Sequence, residues 1–182
     1  ADKDVDALRA ETGKIQRADQ QAALARLIDN KKLMSIEDDD MLRGVVDVIR
    51  HNDLELAESL RRKDDTVDEL YSAIKFYLTQ ISREALSERE SRRWTDILSF
   101  TINMEQIGDV IERVLQDIED KKIRKNRSFS DAGMGEILHL HERLLANLRL
   151  GMSVFLDGHV RDAKKLLEEK AHFRDLEHDY AA

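Results

Sequence analysis

Between Ile97 and Ile118, apolar side chains return every three or four residues: Ile97, Phe100, Met104, Ile107, Ile111, Leu115 and Ile118. This is the period of a helix that buries one face. A stripe of that length must meet other apolar surfaces, and the chain supplies them. Leu56, Leu60, Val67, Leu70, Ile74, Tyr77 and Ile81 form a second stripe, and Met41, Leu42, Val45, Val46, Val48 and Ile49 a third. None of the 182 residues is proline and only 7 are glycine. Helices can therefore run long without a kink. The expected fold class is all-α, built as tandem antiparallel three-helix bundles.

The breaks between helices carry their own signals. One helix is expected from about Val5 to Lys32, on Ala7, Leu8, Ala22, Leu24, Leu27 and Ile28, with Gly13 a candidate interruption. A second runs from Ser35 to His51, and Asn52-Asp53 supplies a break and an N-cap. Ser87-x-x-Glu90 reads as a capping box that opens the long helix to about Lys122. The cationic run Lys121 to Arg127 marks a boundary, with a loop from Ser128 to Gly133. A helix from Gly135 to Leu156, a tight turn at Asp157-Gly158 and a last helix complete the chain. At an offset of 106 residues Leu42-Arg43 matches Leu148-Arg149, and Val48, Ala57, Leu60 and Leu70 match Val154, Ala163, Leu166 and Leu176. The shared register points to an internal duplication. The expected organisation is an extension over 1–33, a first three-helix unit over 34–127 and a shortened second unit over 128–182.

Several functions are disfavoured by what the chain lacks. It has no cysteine, hence no disulfide and no thiolate metal site. Its apolar runs are too short for a bilayer, and its first residues show no signal-peptide pattern. A net charge of −8 disfavours nucleic acid as a partner. No Ser/His/Asp motif, cysteine nucleophile or glycine-rich phosphate loop appears, so no enzyme is expected.

One position on the long helix departs from good helix design. Glu105 and Asp109, at i and i+4, share a face, and Glu112 extends it. Like charges at that spacing cost a few tenths of a kcal/mol, and Gly108 between them costs about 1 kcal/mol relative to alanine. Two compensations offer themselves, a bound cation or close approach of a neighbouring helix. The bland alternative is a solvated acidic face. Asp64 and Asp68 flank the seam of the preceding helix, where they either face the same groove or lie in water beside Arg61 and Lys63. Asp38-Asp39-Asp40 reads as a charged helix surface, and Trp94 and Phe100 as bundle packing. His139 and His141, and likewise His172 and His178, are badly spaced for a shared metal. Lys121, Lys122, Arg124, Lys125 and Arg127 either compensate a helix C-terminus or contact anionic lipid or an acidic partner.

Two segments carry a family resemblance. Asp64-Asp65-Thr66-Val67-Asp68-Glu69-Leu70 and Asn103-Met104-Glu105-Gln106-Ile107-Gly108-Asp109 resemble the acidic helices of the PhoU family, from about Met34 to the end of the chain. The runs Tyr71 to Ser82 and Arg93 to Asn103 are similar to the PhoU-like tail of bacterial sodium-dependent phosphate cotransporters. The resemblance implies a non-catalytic regulatory domain at the cytoplasmic face of the inner membrane, partnered by the transporter portion of its own polypeptide. It also implies cations held by carboxylates, with Asp64, Asp68, Glu105 and Asp109 as the matching ligands. Oxygen-only ligands suit Mg²⁺, Ca²⁺, Mn²⁺ or iron. Asn103 and Val110 depart from the family's usual Asp and His. Lys170 and Arg174 fall where the second unit would need acids, so a cation is expected in the first unit alone. A free-standing phosphate-signalling adaptor and a metal-free helical interaction module are the rival readings, and a homo-oligomer is left open.

Overall fold

The computed structural model describes residues 2–80 and 86–181, with side chains throughout from residue 25 onward except that of residue 80. It comprises five α-helices: α1 (Asp2–His51), α2 (Leu54–Gln80), α3 (Glu88–Ile118), α4 (Asp131–Asp157) and α5 (Val160–Ala181), with one π-helical turn, Glu119–Ile123, extending α3. Among the described residues there is no strand, and no helix is long and apolar enough to cross a membrane. The fold is all-α. Helices α1 and α2 form a hairpin, α3 packs on both, and α4 lies against α1 and carries α5 on its outer side.

The expected break near residue 33 is absent, and Gly13 does not interrupt the helix. The N-terminal extension and the first helix of the bundle are one element, α1. The cause is a seam that crosses the expected boundary unbroken. Leu27, Met34, Met41 and Val48, seven residues apart, are all buried, no proline opposes continuation, and the Ser35 hydroxyl donates back to the Lys31 carbonyl at 3.0 Å instead of capping a new helix. Of the other residues assigned to stripes, the side chains of Ala7, Leu8 and Leu24, and all of Ile81, lie outside the described residues.

The remaining punctuation follows local chemistry. Asn52 takes a left-handed backbone (φ 54°) and ends α1. The Asp53 carboxylate then accepts the Leu56 N–H at 2.9 Å, capping α2. The capping box forms: Ser87 Oγ accepts from the Glu90 N–H, and Glu90 accepts from the Ser87 N–H at 2.8 Å. Ser130 Oγ accepts the Gly133 N–H at 3.1 Å, so α4 starts four residues earlier than expected, inside the stretch read as loop. Gly158 (φ 73°) closes α4. Asn52 and Gly158, the left-handed residues of the two hairpins, stand 106 residues apart.

The core lies between α1, α2 and α3. Val67 and Ile74 of α2 meet Met34, Met41 and Val48 of α1 and Ile97, Met104 and Leu115 of α3, all buried. Each such side chain contributes about 1.5–3 kcal/mol by leaving water. Helix α4 adds Leu148 and Met152, while α5 contributes no buried residue. Phe100 stacks on Phe155 with ring centres 3.9 Å apart, joining α3 to α4. Trp94 donates its indole N–H to the Leu78 carbonyl at 3.1 Å.

A candidate carboxylate centre among three helices

Gly108 is buried where α3 crosses the α1–α2 hairpin. A Cβ there would lie 2.5 Å from Asp64 Oδ1 and 3.5 Å from Asp38 Oδ1. The glycine thus makes room for a carboxylate of α2 against the backbone of α3, which accounts for its helix penalty. The compensation is a close approach, and what approaches is a carboxylate.

Asp64 and Asp68 are one turn apart on α2, as are Glu105 and Asp109 on α3. Asp68, Glu105 and Asp109 each bring one oxygen to within 4.8 Å of the other two. They are the only such group among the described residues. Asp68 is exposed and the other two are half-buried, so the cluster opens to solvent. Asp64 lies beneath it, 8% exposed. Asp38 of α1, from the run expected to be a charged surface, is 0% exposed. Among the described residues, neither oxygen of Asp38, nor Oδ1 of Asp64, has a hydrogen-bond partner. Asp39 and Asp40 do face outward. Asp39 takes both prongs of Arg149 at 2.6 and 3.0 Å, and Asp40 pairs with Arg43 and Lys63.

The electrostatics follow from this placement. A buried carboxylate without donors favours its neutral form. Burial, then the nearby Asp64 and Glu37 charges, push the Asp38 carboxyl up to about 8. Burial, then Asp68, Glu112, Asp109 and Asp65, raise Asp64 to about 6. At neutral pH the centre retains a proton on Asp38 that a cation would have to displace before using that oxygen. The donors are all carboxylate oxygens, the set that hard cations prefer, and the orphaned oxygens of Asp38 and Asp64 give such an ion a partner to satisfy. The residues present fit a cation.

Three of the four expected ligands therefore converge, and the fourth sits directly below. Asp38 escaped the sequence reading, although it had a signal. Leu27, Lys31, Met34, Asp38, Met41, Val45 and Val48 advance in steps of four and three, so Asp38 and Lys31 occupy seam positions. Both are buried.

The basic run needs a correction. Lys122 is buried and unavailable to lipid or a partner. Its ammonium donates to the Ile49 carbonyl at 2.8 Å and to the Asn52 side chain, at the C-terminal end of α1. Lys121 pairs with Asp117, and Arg124 with Glu119 and Asp120. Lys125 and Arg127 are exposed. Two of the histidines are held by hydrogen bonds: His139 to the Tyr180 hydroxyl at 2.7 Å and His141 to the Leu42 carbonyl at 2.6 Å.

Fold and site together define an all-helical domain organised around an acidic centre shared by three helices. Residues 32–118, which contain all five of these carboxylates, match the PhoU domain. Through this stretch, a little under half of its length, the chain is similar to the PhoU domain family. It is 40% identical over 143 residues to the "Putative inorganic phosphate export protein YjbB" of Escherichia coli O157:H7 and of strain K12, covering 79% of this chain and 26% of each relative. The protein of the same name in Salmonella typhimurium is 39% identical over the same shares. The chain thus spans about a quarter of the length of these curated relatives. No solved structure matches it.

Proposed function

We propose that this chain is the cytosolic regulatory domain of a larger membrane protein that moves phosphate, of the sodium-dependent phosphate cotransporter type. Its signal is the occupancy of the carboxylate centre by a divalent or iron cation. The observation that supports this most is the convergence of Asp68, Glu105 and Asp109 above two buried acids, Asp38 and Asp64, with unsatisfied oxygens. Relatives about four times as long that bear a phosphate-export name give the reading its context.

The role is non-catalytic. Asp64, Asp68, Glu105 and Asp109 hold the cation, and Asp38 closes the floor of the centre. A bound cation supplies positive charge where acids from separate helices repel. The residues do the rest: Asp64 and Asp68 tie α2, and Glu105 and Asp109 tie α3. The angle between those helices then depends on occupancy. A ligand that favours one arrangement shifts the population toward it, and the partner that reads the arrangement is the transporter portion of the same polypeptide.

The test is phosphate flux through the full-length protein in proteoliposomes, with EDTA or Mn²⁺ on the domain side. The wild type should change its flux with Mn²⁺, and Glu105→Gln/Asp109→Asn should not. Equal responses in both proteins would refute regulation through this centre.

A further inference from the structure

We propose that the groove between α1, α3 and α4 binds a tetrahedral oxyanion of the orthophosphate class, held by Lys31, Lys32 and Arg93. The choice of orthophosphate rests on the function proposed above. The anion site itself rests on geometry separate from the carboxylate centre.

Lys31 occupies a seam position of α1 and is 3% exposed. Its ammonium lies 4.5 Å from the centre of the Phe155 ring. The Arg93 guanidinium carbon lies 5.4 Å from the same ring centre. Two cations are therefore gathered about one aromatic ring, which is itself stacked on Phe100. Lys31, Lys32 and Arg93 make no hydrogen bond or ion pair through their charged groups with any described residue. All three line a groove of about 770 Å³, roomy enough for a hydrated oxyanion.

The groove also contains three acids, two of which are paired with cations outside the trio. Asp39 is held two-pronged by Arg149 and Asp40 pairs with Lys63 and Arg43, whereas Asp157 accepts from the Ser153 hydroxyl at 3.2 Å and keeps its charge. Among the described residues, Lys31, Lys32 and Arg93 have no ion-pair partner, and these three cations outnumber the one unpaired acid of the groove, Asp157. Burial, then Arg93 and Lys32, push the Lys31 ammonium down to about 8, with no opposing carboxylate. It is still charged at pH 7.

A buried cation beside like charges is costly unless something negative joins it. The ring contacts repay part, since a cation over an aromatic face gains about 0.5–2 kcal/mol. An oxyanion would repay more. A guanidinium presents paired donors to two oxygens of a tetrahedral anion, and an ammonium adds a point charge.

The experiment uses calorimetry and thermal melting with EDTA throughout, in phosphate-free buffer. Sodium phosphate is titrated against sodium chloride at matched ionic strength. Phosphate should bind and raise Tm beyond the chloride control. Lys31→Met, which keeps the stem on Phe155, and Arg93→Gln, at an exposed position, should each weaken binding at least tenfold. The two variants are separate tests, so a failure of the first to fold leaves the second decisive. Competition by sulfate supports an oxyanion site. A phosphate response no larger than that of chloride would overturn the proposal, and so would unchanged affinity in both variants, which would leave Lys31 as a cation resting on an aromatic ring. Retention by phosphatidylglycerol vesicles with no binding of free phosphate would overturn the free-anion assignment. Because EDTA keeps metal out, a negative result here leaves regulation by the carboxylate centre standing.

Discussion

Asp38 stands on a seam that, Lys31 apart, carries leucine, methionine and valine, and its carboxylate has no donor among the described residues. Its folded-state pKa is raised above the value of 3.8 it would have in an unfolded chain, as is that of Asp64. The folded form then holds protons that the unfolded form has released, so stability falls as pH rises. The window runs from about 4 to about 8, set by Asp38, with Asp64 contributing its share by about 6. In EDTA, Tm should decline across this range, and Asp38→Asn should flatten most of the decline. At pH 8 that variant should be more stable than wild type by at least about 1 kcal/mol, since each pKa unit corresponds to about 1.4 kcal/mol. A Tm that is constant or rises from pH 5 to 8 in the wild type would contradict the buried, donor-free placement. Gly108→Ala tests the neighbouring backbone. Alanine gains about 1 kcal/mol in helix propensity, but its Cβ would sit 2.5 Å from Asp64 Oδ1. Overpacking costs about 1–3 kcal/mol, so a net loss of about 1 kcal/mol is expected in urea unfolding. A more stable Gly108→Ala protein would mean that Asp64 does not lie against α3. Glu105 and Asp109 were legible in the sequence because a like-charged pair around a glycine breaks helix economy in a visible way. Asp38 was hidden inside a run of three aspartates, where only the register of the seam separates the buried one from its exposed neighbours.

At the scale of helices, the stripes, the capping box and the turns at Asn52-Asp53 and Gly158 were readable, because each rests on residues close in sequence. The continuity of α1 was not read, since the region near residue 33 looks like a change of pattern until Leu27 and Met34 are placed on the seam of Met41. The role of Lys122 was also out of reach. A cationic run looks the same whether it faces water or a distant helix end, and its partners Ile49 and Asn52 are about seventy residues away. Lys122→Met should leave those acceptors unsatisfied and cost about 1–3 kcal/mol in chemical unfolding. Lys125→Ala, at an exposed position of the same run, should stay within about 0.5 kcal/mol of wild type. Equal effects of the two substitutions would show that Lys122 does not cap α1.

At the scale of the whole molecule, the acidic centre joins α1, α2 and α3, while α4 and α5 pack outside it. A cation bound at the centre would therefore couple its occupancy to the stability of the three-helix unit. Anything that binds the folded form alone must stabilise it. Without a cation the acids of α2 and α3 oppose each other's approach, and with one they share it. The measurement closest to this claim is Tm in EDTA against Tm in excess Mn²⁺, Mg²⁺ or Fe³⁺, for wild type and for Glu105→Gln/Asp109→Asn. For the wild type, at least one of these ions should raise stability by about 2.7 kcal/mol at a hundredfold excess over Kd. The variant should show no such gain and should be as stable as wild type, or more so, in EDTA. An identical metal response in the two proteins, or none in either, would contradict the carboxylate centre as the site of cation binding.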